Sequence, residues 1–285
     1  MTTIKAFVKR HSVLTYFALT FAISWGGVLL VIGGPSRLPA TNGQFEMLLP
    51  IAILAMLAGP SFAGLLLTGL VYGRAGFREL LSRLLRWRVG ARWYAVALLT
   101  APIVMTAVLL ALSFFSPQFL PGILVSDDKV SHVMFGLAVG LVAGLFEELG
   151  WTGFATPRLR LHYGVFATGL IVGFLWGAWH LLVSFWASGA ASGALSLASY
   201  LLDPLLLLPV FRVLMVWVYD RTGSLLIGML MHVSLTASVR IISPLAISGA
   251  SLLTFDLVWF AAVWVVVAAV AVAGGGQLSR QAHQI

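Results

Sequence analysis

Apolar runs long enough to cross a bilayer fill almost the whole chain, and they limit its fold more than any other feature. A spanning helix takes about 20 residues. Runs bounded by Gly, Pro or charge fall at about 14–33, 48–72, 93–116, 132–154, 164–187, 195–218, 224–243 and 254–273. The sequence therefore predicts an all-α protein, a polytopic membrane helix bundle of about eight transmembrane helices. The 285 residues leave no room for a separate soluble domain, so 1–285 reads as a single integral-membrane domain. Residues 275–285 read as a polar cytoplasmic tail.

Charge agrees with this reading. Only 9% of residues are charged and 60% are hydrophobic, which excludes a soluble globular chain and a disordered one. The net charge of +8 points to cytoplasmic Lys and Arg rather than to nucleic acid. With the N-terminus inside, Lys5, Lys9, Arg10, Arg74, Arg78, Arg83, Arg86, Arg88, Arg92, Arg158, Arg160, Arg221 and Arg280 all fall on one side, 13 of the 17 basic residues. Arg37, Lys129 and Arg240 fall on the other side, and Arg212 lies within a span. The asymmetry predicts an even number of spans with both termini cytoplasmic. The basic start, MTTIKAFVKRHSVL, reads as a retained signal anchor. The loop GRAGFRELLSRLLRWRVGARW has Arg and Leu at helical spacing and reads as an amphipathic helix on the inner membrane surface.

Acids are scarce, nine in all, so their places matter. Glu147 and Glu148 are adjacent near the end of the fourth run. A charge at mid-bilayer costs about 2.5–3.5 kcal/mol on insertion scales, and such residues are functional by default. Neighbours on a helix point about 100° apart, so the two carboxylates have separate roles. Glu148 and Thr152 share a face. His180 lies in the fifth run with Trp176 one turn earlier, and His232 lies in the seventh with Thr236 one turn later. A Glu and two His on three spans suffice for a zinc, or another divalent metal, with an open water position. The same groups also work without metal, a carboxylate activating water and imidazoles orienting it or stabilising an oxyanion. Both schemes point to hydrolysis. The absence of cysteine removes thiolate ligands. There is no H-E-x-x-H motif. Asp203 reads as a helix cap before Pro204, Asp220–Arg221 as a solvated turn, and Asp256 as an acid suited to the start of the last helix. Arg212 pairs with an acid in the bundle or snorkels.

The residues together resemble the CPBP family of membrane proteins, which includes CAAX-prenyl endopeptidases of the Ras-converting type and relatives linked to bacteriocin processing and self-immunity. The family pattern is E-E-x-x-x-R, then aromatic-x-x-x-H, then H-x-x-x-N on successive helices. Here it reads Glu147-Glu148-Leu-Gly-Trp-Thr152, Trp176-Gly-Ala-Trp-His180 and His232-Val-Ser-Leu-Thr236, and the likeness covers about residues 58–240. It implies that Glu147 activates water and that His180 orients that water or binds metal. His232 and Thr236 would bind metal or the oxyanion, with Glu148 and Trp176 in support. Glu147, His180 and His232 would be the metal ligands. The implied setting is a bacterial or archaeal plasma membrane, with a peptide or protein substrate presented at the lipid bilayer. Two positions depart from the pattern: Thr152 stands for Arg and Thr236 for Asn. The first leaves Glu148 without the expected cation four residues on. The departures define an alternative, a catalytically weakened scaffold or immunity protein that binds a partner.

Overall fold

A computed structural model describes residues 2–39, 41–188 and 194–273; the stretch read as a tail, 275–285, lies outside them. Every long element is a helix. Among the described residues eight helices are long and apolar enough to cross a membrane, and we number them α1 to α8. They are Ser12–Ile32, Asn42–Leu67, Ala91–Ser113, Lys129–Gly150, Val165–Ala187, Ala194–Thr222, Leu225–Ile242 and Gly249–Ala273. A short helix, Thr2–Arg10, precedes them. The protein is an all-α polytopic bundle, as its hydropathy requires.

The amphipathic loop is helical over a shorter stretch than its Arg and Leu spacing suggests. A π-helical turn, Thr68–Tyr72, leads from α2 into the helix Gly73–Leu84, and the chain is irregular between that helix and α3. Gly73 adopts φ +60°, a conformation that glycine enters without steric cost.

Two glycine ladders set the centre of the bundle. Gly136, Gly140 and Gly144 stack along one face of α4, where a Cβ would run into Ile241, Val233 and Ala237 of α7. Gly169, Gly173 and Gly177 do the same on α5 against Val213, Pro209 and Pro204 of α6. Lipid supplies no hydrophobic drive between helices, so close backbone approach through small residues takes its place. α4 therefore lies on α7, and α5 on α6. α1 packs on α2, α2 also packs on α4, and α6 also packs on α8. At one end, Arg160 forms an ion pair with Asp220 at 2.6 Å, joining the chain after α4 to the end of α6. Asp220 is thus a tie between helices, where a solvated turn was expected.

Candidate active site

The sequence of α4 ends in an apolar run broken by Glu147 and Glu148, and both are buried. A π-helical turn, Trp151–Ala155, follows at once. Turns of this kind favour functional sites, because the register of side chains shifts there. The two carboxylates diverge as helical geometry demands. Glu147 lines a cavity of about 930 Å³, together with Trp176, His180, His232 and Thr236. Glu148 turns the other way, into the packed interface.

Glu147 is held on one oxygen and open on the other. Its Oε2 accepts from Trp176 Nε1 at 2.6 Å and, more weakly, from Trp151 Nε1 at 3.4 Å. Its Oε1 faces His232 Nε2 at 3.9 Å. Trp176 comes from α5, whose ladder glycine Gly177 lets α5 approach α6 at this level.

Glu148 is fully enclosed, and a cation meets it. Arg212 of α6 donates to both oxygens, Nη1 to Oε2 and Nη2 to Oε1, each at 2.8 Å. Two parallel N–H donors matched to a carboxylate form the strongest common ion pair. The guanidinium carbon also lies 4.2 Å from the centre of the Trp176 ring. Thr152 donates its hydroxyl to Glu148 Oε2. Position 152 supplies no cation, as expected, and of the two readings of Arg212 the pairing with an acid in the bundle holds. The arginine absent at Thr152 is replaced by one from another helix, and Arg212 neither snorkels nor stands free.

His232 joins the two halves. Its Nδ1 lies 2.7 Å from Glu148 Oε1 while its Nε2 faces Glu147. An acceptor at Nδ1 fixes the ring and its tautomer and aims Nε2 into the cavity. His180 is placed by its own helix, with Nδ1 2.9 Å from the Trp176 carbonyl oxygen and its ring 4.8 Å from that of Trp179. Thr236 lies one turn beyond His232 on the cavity wall. The residues expected to work together, Glu147, His180 and His232, thus share one cavity, with Trp176 and Glu148 beside them.

The metal expectation can be tested against the donors. Among the described residues no three His, Asp or Glu side chains are gathered as a metal ion requires. One oxygen of Glu147 is already taken by indole N–H groups. The set as placed does not fit a three-ligand metal.

Two acids have surroundings that sequence reasoning missed. Asp203 lies well inside α6, not at its start, and Asp256 lies inside α8; both line the same cavity. Their positions inside apolar runs were the available signal.

Residues 129–238 match the family model described as type II CAAX prenyl endopeptidase Rce1-like. The match begins at α4 and takes in Glu147, Glu148, His180, Arg212, His232 and Thr236. The chain is also similar to CAAX prenyl protease 2 of Methanococcus maripaludis, 27% identical over 176 residues, which is 60% of this chain and 62% of that protein. The chain thus spans somewhat less than two thirds of the length of this relative. Both matches are to CAAX-type proteases, and they cover the stretch that carries the three motifs in order.

Proposed function

We propose that the protein is an intramembrane endopeptidase that hydrolyses a peptide bond through water activated by Glu147. The single observation that carries this is the facing pair of Glu147 Oε1 and His232 Nε2, with His232 held from behind by the Glu148–Arg212 pair. A general base must be oriented and close to its reacting partner, and its neighbours must not move. Glu147 is oriented by Trp176, and His232 by Glu148.

The chemistry then follows in order. Water held at Glu147 Oε1 gives its proton to the carboxylate as its oxygen adds to the scissile carbonyl carbon. The carbonyl oxygen becomes an oxyanion, and the Thr236 hydroxyl is the donor on that side of the cavity, while His232 Nε2, unprotonated in the tautomer that Glu148 fixes, accepts from the water. The tetrahedral intermediate collapses and the C–N bond breaks. Glu147 returns its proton to the departing amine. His180, with Nδ1 turned to the Trp176 carbonyl, presents Nε2 toward the water. Removing one such donor typically costs about 10²–10³ in rate.

The substrate is a peptide or protein segment presented in the bilayer, and the termini of the enzyme lie in the cytoplasm. Of the two departures behind the scaffold reading, that at Thr152 is met by a cation from Arg212, and that at Thr236 remains. Purified Glu147→Gln in lipid nanodiscs is the direct test. The reading expects the variant to unfold at the wild-type temperature and to cleave no peptide that wild type cleaves. Undiminished cleavage would overturn it.

A further inference from the structure

The cavity that holds Glu147 has a second polar region that the mechanism does not use. Asp203 of α6 and Asp256 of α8 line it, on two helices that pack together. Among the described residues neither acid makes an ion pair. Arg240 also lines the cavity, but it is exposed in the last turn of α7 and pairs with neither acid.

Two further atoms at this place, Asp256 Oδ2 and Trp259 Nε1, are buried without a hydrogen-bond partner, and the Ser199 hydroxyl lies against the Asp256 carboxyl. Ser199 is 2% exposed and Trp259 3% exposed, and both line the cavity. Buried polar groups normally find partners, and acids inside spans normally find cations. Among the described residues neither acid meets a cation and Trp259 Nε1 meets no acceptor. Phe255 stacks on Trp259, with ring centres 5.6 Å apart, so an aromatic wall adjoins the acids.

We propose that Asp203, Asp256, Ser199 and Trp259 form a subsite that takes a cationic side chain, lysine or arginine, of the peptide substrate. An ammonium or guanidinium group brings only donors, which suits two carboxylates and a hydroxyl. The aromatic wall favours the same charge. Trp259 Nε1 is left to donate to a peptide carbonyl beside that side chain. Asp203 and Arg212 stand on one helix, about 13 Å apart at about 1.5 Å of rise per residue. An extended peptide covers that distance in about four residues, so the basic residue lies about that far from the bond to be cut. The proposal rests on the reading of this cavity as a peptidase site.

The experiment separates binding from cleavage. Fluorescent Leu/Ala peptides carrying one Lys, scanned along their length, are titrated against Glu147→Gln in neutral phosphatidylcholine nanodiscs. Matched peptides carry norleucine in place of Lys. At one position of the scan the Lys peptide is expected to bind about tenfold more tightly than its norleucine twin, the size of one partly desolvated charge pair. Adding Asp203→Asn and Asp256→Asn is expected to remove that preference and leave norleucine binding unchanged, which also shows that the variant is folded. Equal binding of the twins, no measurable binding of any Lys peptide, or a preference that survives both Asn substitutions would overturn the proposal. Wild-type cleavage is measured separately. A Lys preference without cleavage removes the peptidase reading and leaves the subsite. Cleavage without a preference does the reverse.

Discussion

Arg212 decides what Glu148 is. A carboxylate with no exposure, deprived of its partner, leaves a buried charge that costs about 3–5 kcal/mol when a pair is broken from one side. Arg212→Ala is therefore expected to lower the unfolding temperature sharply and to abolish cleavage, because His232 loses its fixed neighbour. The departure at Thr152 supplies the matching rescue. Thr152 already donates to Glu148, and an arginine there reaches the space that Arg212→Ala vacates. The double variant Thr152→Arg/Arg212→Ala is expected to regain part of both stability and activity, read by thermal unfolding and peptide cleavage. Equal loss in the single and double variants would show that Arg212 acts through something other than its charge on Glu148. That Arg212 meets an acid in the bundle was one reading of the sequence, but which acid was not legible, since 64 residues separate the partners. Glu147, His180 and His232 were legible as polar residues within apolar runs, and they line one cavity. Metal content is checked at the same scale. The geometry expects cleavage to persist in chelator, with no stoichiometric zinc in the purified protein. Loss of about one equivalent of zinc in His180→Ala or His232→Ala would establish the metal scheme instead.

The helices hold these residues only as well as the glycine ladders allow. Gly177 adjoins Trp176, and a Cβ there would meet the carbonyl of Pro204 on α6. That neighbour is backbone and cannot swing aside. Gly177→Ala should push α5 from α6 and draw Trp176 away from Glu147 and Arg212. Overpacking of this kind costs about 1–3 kcal/mol. Gly26 of α1 is the control, since a Cβ there meets nothing within 4 Å. Gly26→Ala is expected to stay within about 0.5 kcal/mol of wild type, with cleavage intact. Unfolding temperature and cleavage of the two variants, side by side, check this. An unperturbed Gly177→Ala would mean that the ladder is slack. The spans themselves were legible, since a bilayer fixes their length and apolarity. Their ends were less so. The second span runs into Gly73–Leu84 because hydropathy falls there while helical hydrogen bonding continues through the π-helical turn. Asp203 was misplaced for a related reason. The pair Asp-Pro resembles a helix start, yet a membrane helix tolerates proline within its length, and α6 contains Pro204 and Pro209.

For the whole molecule, function depends on which side of the membrane the cavity's polar end approaches. Glu147 lies near the end of α4 that leads to Arg158 and Arg160, and the helix Gly73–Leu84 extends α2 toward that same side. Arginine and lysine concentrate on the cytoplasmic face because they are retained there during insertion. The active carboxylate would then lie nearer the cytoplasm, and substrates would enter with their cleavable bond toward that leaflet. The chain has no cysteine, so single cysteines report this without a background. Ser36 lies in the loop between α1 and α2, Ser82 lies beyond the far end of α2, and both are exposed. In right-side-out vesicles, a membrane-impermeant maleimide is expected to label Ser36→Cys at once. Ser82→Cys should react only after the membrane is opened by detergent. The reverse order would invert the molecule, put the Glu147 end of the cavity on the outer face, and require substrates to arrive from outside.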